Sequence, residues 1–204
     1  MHTTPQEKFW SEDFGDEYIS RNEAPELLSA KTAMFASVLA KTSGVGSVVE
    51  FGCNVGINLA ALGRLVPGIE IHAVEINAQA AESCAKRLPT AKITHGSIFD
   101  YSPDKPCELA LTCGVMIHLN PEMLPVTYQK LAAASSKYVL IAEYYNPNPV
   151  SIPYRGHDDR LFKRDFAREF MEANPQYRLA AYDFVYRGDP AFPLDDITWF
   201  LMEK

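Results

Sequence analysis

The chain has 204 residues, 47% of them hydrophobic and 22% charged, with a formal net charge of −7. That length can bury a full core, and the composition is that of an ordinary globular protein. The acidic balance argues against a nucleic-acid partner, which calls for a basic face.

No apolar run reaches the length of a membrane span, so no membrane partner is expected. MHTTPQEKFW lacks the basic start and apolar stretch of a signal peptide, which points to a cytoplasmic protein. Cys53, Cys84, Cys107 and Cys113 show no metal-ligand spacing and read as buried free thiols of a reducing compartment. No metal site is expected.

In chain order, residues 1–24 place Phe9, Trp10, Phe14 and Tyr18 at helical spacing and read as a small amphipathic cap ahead of a domain spanning 25–204. Two readings of the cap stay open. Trp10 and Tyr18 pack it internally, or they reach a ligand together with Arg21. Residues 25–41 read as a helix with one apolar stripe. The run from 47 to 51 has the pattern of a buried parallel strand ending near an acid, Glu50. Gly52 to Gly56 then form a tight turn that opens a helix at Ile57. A glycine turn lets the backbone approach a ligand, and a helix start offers free N–H groups and a positive dipole end.

A second strand at 69–74 ends in Glu75, about 20 residues past the turn, where a ribose-binding acid belongs in a βαβ unit. Asn54 stands where a dinucleotide fingerprint has its middle glycine. Its side chain would crowd a diphosphate, which favours a nucleoside without phosphates over a nicotinamide cofactor. Helix 78–88 and strand 92–94 follow, then Gly96-Ser97-Ile98-Phe99-Asp100, strand 108–113, helix 121–134 and strand 138–142 with Glu143, Tyr144 and Tyr145 at its end. NPNPVSIPYRGHDDRLF carries four prolines, which disfavour regular structure and give a stiffened loop. A helix at 162–174 and strands at 178–186 and 196–202 close the chain.

The constellation Glu50-x-Gly52-x-Asn54-x-Gly56, then Glu75, then Gly96 to Asp100, resembles the core of class I S-adenosylmethionine-dependent methyltransferases. More narrowly, FWSEDFGDEYISRN, VVEFGCNVGINL, LTCGVMIHLNPEML, IAEYYNPNPVSIPYRGHDDRLFKRDF and DPAFPLDDITWFL resemble small methylases associated with pseudaminic acid biosynthesis, over nearly the whole chain. The resemblance implies an α/β fold with a doubly wound, seven-stranded, mostly parallel sheet whose last strand is antiparallel. It implies S-adenosylmethionine as cofactor, with Trp10, Tyr18 and Arg21 in a lid and Arg21 on the methionyl carboxylate. Glu50, Gly52, Asn54 and Gly56 would form the corner, and Glu75 with Ile76 would hold the ribose. Ser97 and Ile98 would meet the adenine, and Cys113 and Gly114 the methionine part. His118 is read either as a loop-shaping cofactor contact or as a general base.

The acceptor would be a small, anionic, sugar-like molecule met by Tyr144, Tyr145, Tyr154, Arg155 and His157. A hydroxyl acceptor needs a base as its bond to methyl forms, and the candidates are His157, His118 and Glu143, in that order. Rival readings are another small acceptor or a peptide, a nicotinamide-dependent oxidoreductase, and a binder that has lost catalysis. The oligomeric state is expected to be monomer or homodimer.

Overall fold

The computed structural model describes residues 4–19 and 25–204; the expectation for Arg21 therefore lies outside the described residues. Two short helices come first, α1 (Pro5–Ser11) and α2 (Asp13–Tyr18). α1 begins at a proline preceded by Thr4 as N-cap. The Thr4 hydroxyl accepts from the Glu7 N–H, and the Glu7 carboxylate accepts from the Thr4 N–H, both at 3.2 Å. This reciprocal box satisfies donors that a helix start otherwise leaves open.

Helix α3 (Pro25–Leu39) leads into alternating strands and helices: β1 (Ser47–Phe51), α4 (Ile57–Leu65), β2 (Glu70–Glu75), α5 (Ala78–Arg87), β3 (Lys92–His95), β4 (Cys107–Cys113), α6 (Leu124–Ala134) and β5 (Ser135–Glu143). Beyond the short strands β6 (Val150–Ser151) and β7 (Phe162–Lys163) come α7 (Phe166–Ala173), β8 (Arg178–Val185) and β9 (Ile197–Glu203). The main sheet has seven strands in the order β3-β2-β1-β4-β5-β9-β8. The first five run parallel, and β9 lies antiparallel between β5 and β8. This is the doubly wound architecture expected from the sequence.

The period of two along each strand sorts the core into two layers. Val48, Leu109, Leu111, Leu140 and Trp199 pack with residues of α3 and α4. Val49, Phe51, Ala110, Val139 and Ile141 pack with residues of α6 and α7. Because both faces are covered, the central strands read as continuous apolar runs. The strand order reverses between β1 and β4, and a crevice opens at such a switch point, outside the strands' carboxyl ends.

The proline-rich stretch is more regular than its composition suggests. Val150 and Ser151 pair with Lys163 and Phe162, and Tyr154 bridges His157. The helix expected from 162 starts only at Phe166, where the Asp165 carboxylate caps the Arg168 N–H at 3.0 Å. Phe162 and Lys163 are drawn instead into the small sheet. No helix among the described residues is long and apolar enough to cross a membrane.

Candidate active site

The carboxyl ends of β1, β2, β4 and β5 open into a cavity of about 760 Å³, within the ~300–1,000 Å³ usual for small-molecule sites. Its rim begins at the turn between β1 and α4, where Gly52, Asn54 and Gly56 all have positive φ, at 74°, 47° and 76°. Asn is one of the few residues besides Gly that adopts this geometry readily. Gly52 and Asn54 line the cavity, whereas Gly56 does not. A Cβ on Gly56 would come within 2.5 Å of Cys84 Sγ, so that glycine lets the turn pack against α5.

Asn54 Oδ1 accepts from the Val55 N–H at 2.8 Å, which takes up an amide that a diphosphate would need at this helix start. The Asn54 N–H donates to Glu75 Oε2 at 2.7 Å, and Glu75 Oε1 accepts from the Asn77 N–H at 2.8 Å. Glu75 is buried and, with Ile76, lines the cavity. Burial pushes its carboxyl upward in pKa, against the pull of those backbone donors.

The cavity floor holds polar groups that the chain leaves under-satisfied. Glu50 shares the face of Val48 and is fully buried; its Oε1 accepts from Asn58 Nδ2 at 2.6 Å. Among the described residues, Glu50 Oε2 and Asn58 Oδ1 are buried without a hydrogen-bond partner. Lys31, on α3, is also buried, and its ammonium donates to Cys113 Sγ at 3.2 Å. A thiol is a poor acceptor for a group with three donors. Burial pushes the Glu50 carboxyl up to about 8, with Asn58 and Lys31 pulling the other way, and it also raises the Cys113 thiol. Lys31, Asn58, Cys113 and Gly114 line the cavity, and Glu50 lies against Asn58.

Ile98 and Phe99 form an apolar wall. Ser97 stands off it: its hydroxyl donates to the Glu7 carboxylate and accepts from the Phe99 N–H at 3.1 Å. Of the two residues expected at the adenine, Ile98 lines the cavity, whereas Ser97 fastens α1 to the sheet. Glu143 is likewise behind the wall. It accepts from the N–H groups of Val115 and Met116, at 3.0 and 3.1 Å, and more weakly from Ile117 at 3.4 Å. Burial pushes its carboxyl up to about 7. Glu143 fixes the loop after β4, and its oxygens point at backbone instead of an acceptor.

That loop presents His118, buried on the cavity wall. His118 Nδ1 lies 2.6 Å from the Arg160 carbonyl oxygen, which can only accept, so Nδ1 carries the proton and Nε2 the lone pair. Burial lowers its pKa to about 4, so the ring stays neutral at physiological pH. The Trp10 and Tyr154 rings flank it at 4.6 and 5.2 Å between centroids. Trp10 and Tyr18 both line the cavity from the N-terminal helices. Those helices are held by Asn77 Nδ2 and Gln79 Nε2 donating to Asp16, at 2.7 and 2.6 Å, and by Gln6 donating to the Asp159 carbonyl at 3.1 Å.

Tyr144, Tyr154 and Arg155 also line the cavity. Arg155 and Gly156 have φ of 52° and 85°, and positive φ at both central positions is what a tight two-residue hairpin requires. Two of the expected acceptor residues are absent from the cavity lining. Tyr145 turns onto Phe200, 5.8 Å between rings. His157, the first-ranked base, is exposed and sits edge-on to Phe9 at 5.2 Å. Paired with Tyr154 across the turn, His157 shares that face of the hairpin but packs on α1 through Phe9 and does not reach the cavity lining.

Sequence reading overlooked Lys31, Asn58, Arg187 and Asp195, all on the cavity wall. Tyr144 donates its hydroxyl to Asp195 Oδ2 at 2.9 Å, and burial together with that carboxylate raises the phenol's pKa. Lys31 had a legible signal, as a lysine on the same helical stripe as Leu27, Met34 and Phe35. Arg187 and Asp195 had none, since both lie in a turn-rich link between strands. Among the described residues no cluster of His, Cys, Asp and Glu could hold a metal ion.

No family model matches the chain. Over 67 residues it is 39% identical to ribosomal RNA small subunit methyltransferase C of Shewanella sediminis (strain HAW-EB3), a match covering 33% of this chain and 19% of that protein. The match thus spans about a fifth of that relative's length. Among solved structures, the chain superposes on magnesium protoporphyrin IX methyltransferase from Synechocystis PCC 6803 with bound SAH. The TM-score is 0.73 and the identity 11%, over 97% of both chains.

The fold is that of the class I S-adenosylmethionine-dependent methyltransferases. A Leishmania major SAM-dependent methyltransferase gives a TM-score of 0.74 at 12% identity, over 98% of this chain and 81% of that one. The Burkholderia thailandensis 1,6-didemethyltoxoflavin-N1-methyltransferase, with bound 1,6-didemethyltoxoflavin and S-adenosylhomocysteine, gives 0.69 at 16%, over 98% and 86%.

Proposed function

We propose that the chain is an S-adenosylmethionine-dependent methyltransferase acting on a small, anionic, hydroxyl-bearing acceptor. The observation that carries the reading is the set of under-satisfied groups in the floor. One buried ammonium (Lys31) accompanies two buried oxygens that have no partner among the described residues (Glu50 Oε2 and Asn58 Oδ1), a set complementary to the carboxylate and ammonium of an α-amino acid once Glu50 gives up its proton. An unpaired buried polar group is costly, and a bound zwitterion would satisfy all three. Glu75, Ile76, Ile98 and Phe99 would hold the nucleoside end. The side chain of Asn54, folded onto the turn, supports a ligand without a diphosphate.

When bound, S-adenosylmethionine supplies an electrophilic methyl group on a sulfonium sulfur. The chain's own residues orient the acceptor, exclude water and take a proton. Trp10 and Tyr18 close the cavity from above. The lone pair of His118 Nε2 is the base for a hydroxyl acceptor, in place of the exposed His157. Arg155 and Arg187 are cations on the acceptor side, suited to a carboxylate. An acidic nine-carbon sugar of the pseudaminic type fits this description and agrees with the sequence resemblance.

Titration calorimetry with S-adenosylmethionine and with NAD, followed by a labelled-methyl screen of nonulosonic acids and other carboxylated sugars, tests the proposal. Binding of the first cofactor and not the second, with label passing to a carboxylated sugar, is expected. Binding of NAD alone would overturn the cofactor reading. Transfer only to uncharged acceptors would overturn the acceptor class.

A further inference from the structure

The strand β8 ends the sheet, and one of its faces is covered by nothing among the described residues. The register against β9 shifts between Leu179 and Ala181. That irregularity brings Leu179 to the face of Tyr182 and Phe184, while Ala181 and Val185 turn into the opposite core layer. Tyr182 stacks on Phe200 at 6.1 Å, and Phe200 meets Tyr145 at 5.8 Å. Phe184 meets Tyr186 at 6.4 Å. The result is a continuous aromatic patch without a charged side chain on the strand positions that form it. Exposure is 66% for Tyr182, 58% for Tyr186, 52% for Phe184, 43% for Leu179 and 42% for Tyr145.

From these features we infer that a second copy of the chain packs on this patch, face to face across a two-fold axis. Half-exposed side chains of this size leave roughly 500 Å² of apolar surface per copy, since a buried aromatic covers ~150–250 Å². Two copies would hide roughly 1,000 Å², the least a specific interface needs, and the largest apolar patch on a protein surface is often functional. A two-fold interface requires a self-complementary surface, and an uncharged apolar face meets that requirement with no charge mismatch. An anionic membrane is a poor occupant for a chain of net charge −7. Strand addition at the edge is also disfavoured, because Asp183 places a carboxylate there, accepting from the Phe184 N–H at 2.8 Å. This inference is independent of the methyltransferase reading.

Sedimentation of the full chain over a wide concentration range tests it. The expected mass is twice the 22.8 kDa of one chain. Dimerisation should tighten as salt rises, because salt screens the like net charges while leaving an apolar contact intact. Tyr182→Lys combined with Phe184→Lys should give a monomer with an unchanged circular dichroism spectrum. Should that variant misfold, Tyr182→Ser removes one ring without adding charge and should weaken the dimer about tenfold. A wild type that stays monomeric at the highest concentration overturns the inference, whether or not it binds lipid vesicles. So does a dimer that survives a folded variant, or one that salt dissociates.

Discussion

The corner between β1 and α4 and the hairpin carrying Arg155 each hold a glycine at positive φ, yet their surroundings are opposite. A Cβ on Gly56 would meet Cys84 Sγ at 2.5 Å and Leu88 at 3.2 Å, whereas one on Gly156 would meet nothing within 4 Å. The corner's shape is enforced by the core beneath it. The hairpin's shape rests on its own turn and on what α1 lends it through Gln6 and Phe9. On the proposed function, the cofactor half of the site is preformed by packing, and the acceptor half is a surface device that can vary without unsettling the fold.

The sharpest way to break this comparison is at the two histidines, one on each kind of element. His118→Gln is expected to lower kcat by ~10²-fold or more, the scale of a lost general base, while cofactor affinity stays within about threefold. His157→Gln should change kcat by less than about threefold. The reverse pattern in steady-state kinetics would move the base to the hairpin. Because burial holds the His118 pKa near 4, the wild-type acid limb should also fall near that pH and well below 6.5.

The glycines give the next effect. Gly56→Ala combines a left-handed backbone with overpacking, for a loss of about 3 kcal/mol. Gly156→Ala meets the backbone penalty alone, about 1 kcal/mol. Urea unfolding of the two variants compares them directly, and equal losses would mean that the corner is no better braced than the hairpin.

How much of this was legible in the sequence follows the same division. Local chemistry announced the corner: strand, Gly52, Asn54, Gly56, helix, then Glu75 at the next strand end. The doubly wound, seven-stranded sheet came with the family resemblance that those residues carry. What could not be read were pairings set by distant packing. Ser97 looked free for a base edge but is held by Glu7, ninety residues earlier. Glu143 looked like a base but has Oε1 on the N–H groups of Val115 and Met116 and Oε2 toward that of Ile117. His157 looked reactive by composition, and its ring packs on Phe9, a partner about 150 residues away that no local pattern announces. Arg187 and Asp195 reached the cavity through a link that has no periodicity to read.

A smaller effect concerns pH. Glu50 and Glu143 have folded-state pKa values raised from 4.5 to about 8 and about 7. The folded chain therefore keeps protons that the unfolded chain has released, and stability falls as pH rises through that window. His118 acts in the opposite sense between about 4 and 6.5, where the unfolded chain takes up the proton. Above 6.5 the opposing contribution of His118 is gone and that of the carboxyls remains. The Tm should accordingly decline from pH 6.5 to about 8, and Glu50→Gln should flatten the decline. A Tm that rises across this range would contradict the protonated floor.

The most direct measurement compares two ligands on one variant. S-adenosylhomocysteine carries an α-amino acid that methylthioadenosine lacks, so calorimetric titration of both into the wild type and Lys31→Met isolates the floor. The account predicts that Lys31→Met weakens S-adenosylhomocysteine at least tenfold, about 1.4 kcal/mol, and leaves methylthioadenosine unchanged. Equal affinity of wild type and variant for S-adenosylhomocysteine, or an equal loss for both ligands, would contradict it.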